Sequence, residues 1–217
     1  MAILETEIFD SKYGFGGNRK PFLPATAAEN PFNLTGRTGG GCVQDGTFRK
    51  GKLFLNVGQP KGHPIDHVES QPDYNLFARA LENIPGFSQP NIHGSGHFDV
   101  GGVLGTLGNS AHSPGEPLFF LHHRNLGRVL WNWQQKDLPR RLDEVGGPVE
   151  PLDYSGVNVT LSFEINIGKL GGNATLEQLL NTQGDVICYD YYTPELAAPQ
   201  DGGNTGGWTT GRYARGG

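Results

Sequence analysis

Cysteine is scarce in this sequence. Cys42 and Cys188 are the two among 217 residues, and without a Cys-x-x-Cys pair there is no zinc-ribbon pattern. The two either form one disulfide, worth on the order of 4–5 kcal/mol in the chain-entropy picture of a long closed loop, or stay as thiols. Basic runs are missing as well. With a net charge of -5 and a pI near 5.8, nucleic acid is a poor partner. No apolar stretch approaches the roughly 20 residues that a membrane span needs. The N-terminus, "MAILETEIFD", lacks the basic segment and apolar core of a secretory signal.

What the sequence holds in excess is glycine. There are 34 glycines and 15 prolines, together 49 of 217, or about 23%, just short of the roughly 25–30% that marks low complexity. A compact domain with long ordered loops is expected. Three acceptor triplets begin at Asn33, Asn158 and Asn173. They point to a secretory or extracellular glycoprotein. Secretory marks without a signal are what a chain lacking its front end would carry.

Residues 1–72 read as loop with short extended pieces such as Lys52–Val57. "GFGGN" makes a poor phosphate cradle, having no clear strand before it and no helix after it. "PDYNLFARALENI" predicts a helix capped by Asp73, with Leu76, Phe77, Leu81 and Ile84 on its buried face. A second helix covers part of residues 91–100. The strongest runs from Pro117 to about Lys136, with Phe119, Leu126, Leu130 and Trp133 along one broad face. "VNVTLSFEI" alternates like a strand. A short helix, "ATLEQLLN", and the aromatic piece "VICYDYY" follow. The residues from Ala198 to Gly217 form a loose, Gly-rich tail.

Five of the seven histidines fall within residues 91–135. His93 and His97 stand four apart, on one face of a helix, so both could bite a single metal ion. A third histidine from another helix would complete a three-nitrogen site with an open position. Neutral imidazole suits copper and zinc. A set with histidine alone and no carboxylate suits copper that cycles between Cu(I) and Cu(II). His122 and His123 lie about 100° apart around their helix, so one of them at most faces a given ion. "GHPIDH" repeats the spacing at His63 and His67, but Pro64 and the flanking Gly and Pro read as loop.

"HGSGHF" followed by "SPGEPLFFLHHRNLGRVLWNWQ" resembles the copper B half of the tyrosinase and catechol oxidase family of type 3 copper proteins. Upstream, "FDSKYGFGGN" and "GGCVQDGTFRKG" resemble the segments joining that family's two copper-binding halves. Downstream, "CYDYY" resembles its tyrosine motif. The match covers most of residues 8–193 and is nearest the short fungal members. The resemblance implies a mainly α fold: half of a four-helix copper bundle with long Gly/Pro-rich loops and a few short strands, over residues 1–197. It implies copper B on His93, His97 and His123, the family ligand being usually the second of the adjacent pair. Phe119 would pack beside the site. Glu82 resembles the carboxylate that holds a water near the coppers and helps take the phenol's proton; the alternative is an exposed Glu at a helix end. Gly94 looks more like catechol oxidases, which favour o-diphenols, than like monooxygenase members, which carry Asn there.

Two departures stand out. The family's usual Asp four residues after the third ligand is Gly127 here, and loss of such an orienting carboxylate costs ~10–100-fold in metal affinity or activity. Glu116 replaces another usual Asp. The copper A half, which should precede "FDSKYGFGGN" with three more histidines, is also absent. This chain supports one copper, and a second needs the missing half: either the chain is a truncated product, inactive by itself, or another chain supplies that half. Together they would use dioxygen to oxidise a phenolic or catecholic small molecule. The competing expectations are a non-catalytic tyrosinase-like protein binding one metal ion or none, and an oxygen-binding, haemocyanin-like module.

Overall fold

The computed structural model describes residues 7–16, 28, 45–47, 65–82, 91–101, 105–150 and 153–191. They are mainly helical, as expected: α1 (Ile65–Glu69), α2 (Tyr74–Glu82), α3 (Ile92–Gly101), α4 (Pro117–Gln135), α5 (Leu138–Leu142) and α6 (Leu176–Leu180). The longest, α4, is the post on which α1, α3 and α5 pack, while α2 bridges α1 and α3. Its start is locally encoded. Pro117 occupies the first turn, where a missing N–H costs nothing, and the Glu116 side chain caps the end by accepting from the Leu118 N–H.

Apolar contacts divide into two clusters along α4. One joins Phe9, Val100, Leu107 and Leu118. The other joins Val68, Phe77, Val129 and Trp133, ringed by Tyr74, Leu81, Ile92 and Leu130 among others. Leu118 and Val129 are eleven residues apart on one helix, a rise of roughly 16 Å. His122 and His123 lie in that gap. Beyond it the helix end is pinned by Trp133 and Arg141. The Trp133 indole N–H donates to the Gln71 carbonyl at 2.7 Å. The buried Arg141 guanidinium lies 4.3 Å over the Trp133 ring and donates to the Trp133 carbonyl. A cation suits that place, because the last carbonyls of a helix are left without intrahelical donors.

In α2, Asp73 accepts from the Leu76 N–H at 2.9 Å, as a cap should. The buried face differs from the one expected. Tyr74, Phe77, Ala80 and Leu81 pack on the core, whereas Leu76 is exposed, since it sits one position and about 100° from Phe77. His67 lies on a helix and not in a loop. Val68 inserts between Phe77 and Trp133, and this packing outweighs the Gly and Pro around it. The expected long strand shrinks to β1 (Glu164–Ile165), paired antiparallel with β2 (Ala174–Thr175). Before β1, Asn158 makes a single bridge to Pro148 and Val157 is exposed. With no sheet face to receive the alternating residues, alternation alone builds no strand. α6 begins with a capping box between Thr175 and Gln178. "VICYDYY" forms no helix or strand within its described part; Cys188 is an exposed free thiol in the left-handed region (φ 53°). Cys42, His63, Asn33, Ile84, the segment Lys52–Val57 and the tail from Ala198 lie outside the described residues.

Candidate metal centre

The histidines come together where α3 crosses α4. Asn91 starts α3 by accepting from the Gly94 N–H. One turn separates His93 from His97, and their Nε2 atoms face each other at 3.2 Å. His123 brings its ring to 5.3 Å from His93 and 5.1 Å from His97, centroid to centroid. Phe119, one turn earlier on α4, packs at 3.9 Å on His123 and 5.9 Å edge-on to His97.

The outer nitrogens decide what the inner ones can do. His93 Nδ1 donates to both Glu82 carboxylate oxygens at 2.7 Å. His97 Nδ1 donates to the Leu107 carbonyl at 2.8 Å, and His123 Nδ1 donates to the Phe119 carbonyl at 2.9 Å. An acceptor at Nδ1 fixes the neutral ring with its proton there and its lone pair on Nε2. Two such lone pairs would then point at one another across 3.2 Å, a contact that a shared proton or a metal ion relieves. A proton is a poor candidate at His97, because burial pushes that imidazole's pKa down, an effect only partly offset by the bond to Leu107. The donor set also fits a metal ion that takes neutral imidazole, copper or zinc. Each Nδ1–H is held by a carboxylate or a carbonyl, the arrangement usual behind metal-binding histidines.

His122 is the other histidine in the cluster. Its ring nitrogens come within the same 4.8 Å grouping as those of His93 and His97, so proximity alone names His122 as the third ligand. The choice of His123 rests on the family resemblance and not on proximity. His122 has the opposite tautomer, with Nε2 donating to the His93 carbonyl at 2.9 Å and its lone pair on Nδ1. Burial pushes its pKa down to about 4, so it is neutral near pH 7.

Glu82 ends α2 but is half-buried and not exposed, and its carboxylate accepts from His93. Two features of the site were not foreseen. A Cβ on Gly96 would stand 2.1 Å from His122 Cε1, and one on Gly101 would stand 2.0 Å from the Gly108 N. Gly96 makes room for a ring. Gly101 lets the 105–108 loop lie on α3 and deliver the Leu107 carbonyl. The signal was there: glycines cost about 1 kcal/mol each inside a helix, and several in ten residues imply close approach. At Gly127 a Cβ would meet the Tyr191 hydroxyl at 2.5 Å, so no Asp fits without moving Tyr191. Tyr191 and Tyr189 dock on α4 through Arg124, whose guanidinium lies 3.5 Å over the Tyr189 ring. His67 and His112 are both exposed and apart from the cluster.

Residues 8–136 match the family model described as the common central domain of tyrosinase. The chain is 30% identical to the tyrosinase-like protein phomQ1 of Diaporthe leptostromiformis, over 85% of this chain and 52% of that protein. It is 26% identical to the oxidase hkm6 of Aspergillus hancockii, over 80% of this chain and 72% of that one. In fold it resembles a polyphenol oxidase variant from Thermothelomyces thermophila, with a TM-score of 0.73 at 21% identity, covering 88% of this chain and 63% of that one. The chain spans about half the length of the phomQ-type relatives that it matches.

Proposed function

The chain belongs to the tyrosinase family, and on that premise we propose that it supplies the copper B site of a phenol-oxidising enzyme, with His93, His97 and His123 as the ligands. The observation that supports this reading is the pair of Nε2 atoms of His93 and His97, 3.2 Å apart with both Nδ1 atoms held, and the His123 ring 5.1–5.3 Å from theirs. Copper bound there would supply the one-electron chemistry that links oxidation of an o-diphenol to reduction of dioxygen.

The chain's own residues have distinct tasks in this reading. Glu82 keeps the proton on His93 Nδ1 and orients that ring. The Leu107 and Phe119 carbonyls do the same for His97 and His123. The Phe119 ring covers one side of the imidazoles and keeps water from them. At Gly94 there is no side chain to reach over an incoming phenol, which favours o-diphenol oxidation to o-quinone over hydroxylation of a monophenol. Two diphenols would yield two quinones as one dioxygen becomes two waters.

That stoichiometry calls for a second metal in the family's manner. Among the described residues there is one histidine cluster of this kind, and we assign the second site to polypeptide outside this sequence. Phe120 and Leu121, exposed on α4 beside the histidine pair, support a packing partner on that face. Exposed Asn158 and Asn173 support a secreted glycoprotein; a mass shift on endoglycosidase treatment checks it. Among the described residues no helix is long and apolar enough to cross a membrane.

The test is oxygen uptake with a catechol, using copper-loaded chain alone and chain co-expressed with the N-terminal half of a full-length family member. Uptake by the pair and by neither part alone is expected. Uptake by no combination contradicts the enzyme reading. Turnover by the chain alone contradicts the two-part reading.

A further inference from the structure

His122 takes no part in the ligand set above, yet α3 is shaped to receive it. Its ring lies on His93 at 5.8 Å with 28° between planes, and edge-on to His97 at 5.1 Å and 90°. Its Nε2–H reaches from α4 to the backbone carbonyl of His93 on α3. The α3 helix gives up a side chain to admit it, because any Cβ at Gly96 would fall inside the ring. A helix rarely accepts glycine at an interior position without such a reason.

We propose that His122 is a positioning residue, a cross-helix pin that sets the separation of the helix carrying His93 and His97 from the helix carrying His123, with Gly96 as its socket. The inference rests on the three-histidine reading. Each ligand ring is oriented within its own neighbourhood, His93 by Glu82, His97 by Leu107 and His123 by Phe119. None of those bonds joins α3 to α4. The His122 bond does, and it ends on the backbone of a ligand residue. Adjacent on α4 to His123, His122 transmits the position of α3 to the third ligand through a single residue of helix. Its Nε2–H is spent on the carbonyl, so that atom is not offered to the metal.

The test uses the full chain with copper. Cu(I) affinity is read by competition with a chromogenic chelator, copper per chain by elemental analysis, and ligand geometry by the Cu(II) EPR spectrum. His122→Ala and Gly96→Ala are each expected to weaken Cu(I) binding about 10–100-fold, in the range of outer-shell losses, while saturating at the parent's copper count. Their EPR hyperfine splitting should shift in the same direction. His122→Gln, whose amide N–H can still donate to the His93 carbonyl, should recover most of the affinity. Where His122→Ala fails to fold, the Gln and Gly96→Ala variants carry the test. Unchanged affinity and spectrum in Gly96→Ala and His122→Gln, with a fall in Tm alone in Gly96→Ala, would overturn the proposal in favour of simple packing. Loss of copper from His122→Ala with its retention in His123→Ala would overturn it in favour of His122 as the ligand. No copper on the parent chain would overturn the three-histidine reading itself, and the pin with it.

Discussion

The C-terminal end of α4 and the histidine-bearing stretch between its two apolar clusters are held by opposite means. At the C-terminal end, Val129 and Trp133 are sealed among Val68 and Phe77, with Arg141 stacked beneath the indole. In the stretch between the clusters, His122 and His123 face other imidazoles, and their partners are carbonyls. The first arrangement removes apolar surface from water and gains stability in proportion to the area buried. The second contributes little apolar burial and fixes tautomers and angles instead. One helix thus anchors apolar clusters at Leu118 and at Val129 and Trp133, and presents a donor set between them. Damage at the two stretches should therefore be read out by different instruments.

The comparison is sharpened most by Trp133→Ala. Deleting a fully buried indole typically costs 3–5 kcal/mol, and here the bond to Gln71 goes with it. A large fall in Tm is expected, with copper per folded chain unchanged; a loss of copper before unfolding would show that the two stretches are not separable.

Glu82→Ala probes the histidine-bearing stretch. It frees His93 Nδ1 and should weaken copper binding by about 10–100-fold, as outer-shell losses do, at a small change in the Tm of the metal-free chain. Glu82→Gln, which can still accept from Nδ1–H, should fall between the two. Equal copper affinity in all three, by chelator competition, would remove Glu82 from the site.

A smaller effect is expected at the junction between α4 and the 176–191 segment. Gly127→Ala pushes a methyl against the Tyr191 hydroxyl. That atom ends a flexible side chain, so the cost should lie near the low end of the 1–3 kcal/mol usual for overpacking. Tyr191→Phe removes the obstructing oxygen, and in that background Gly127→Ala should cost measurably less in chemical denaturation. Equal costs in both backgrounds would show that the hydroxyl does not fill this space.

The smallest effect is a pH slope from Glu116. Burial raises its carboxyl pKa above the ordinary 4.5, partly offset by the Leu118 N–H. Between 4.5 and the raised value the folded chain keeps a proton that the unfolded chain has released. Stability then falls as pH rises through that window, by at most about 1.4 kcal/mol per pH unit for one proton. Glu116→Gln should flatten this part of the Tm-versus-pH curve, and an unchanged slope would place its origin elsewhere.

Much of this was legible in the sequence where the information is local. Pro117, the 3–4 spacing behind it and the Asp73 cap define α4 and α2 with few residues each. The i, i+4 spacing of His93 and His97 puts two imidazoles on one face whatever the rest of the chain does. What was not legible depends on distant partners. The alternation of "VNVTLSFEI" found almost no strand to pair with. His67 became helical because Val68 had a pocket between Phe77 and Trp133. Glu82 was read by its place in the chain, but its role comes from the 2.7 Å contact with His93 eleven residues on. The glycines of α3 looked like weakness in a helix, and only the ring at Gly96 and the loop at Gly101 give their reason.

The most direct measurement of the central claim is copper per chain on purified protein loaded with Cu(I) and stripped of loosely held metal, for the parent and for His93→Ala, His97→Ala and His123→Ala. The facing Nε2 atoms of His93 and His97, with the His123 ring beside them, predict one copper on the parent and its loss from each variant. No copper on the parent, or retention in all three variants, would contradict it.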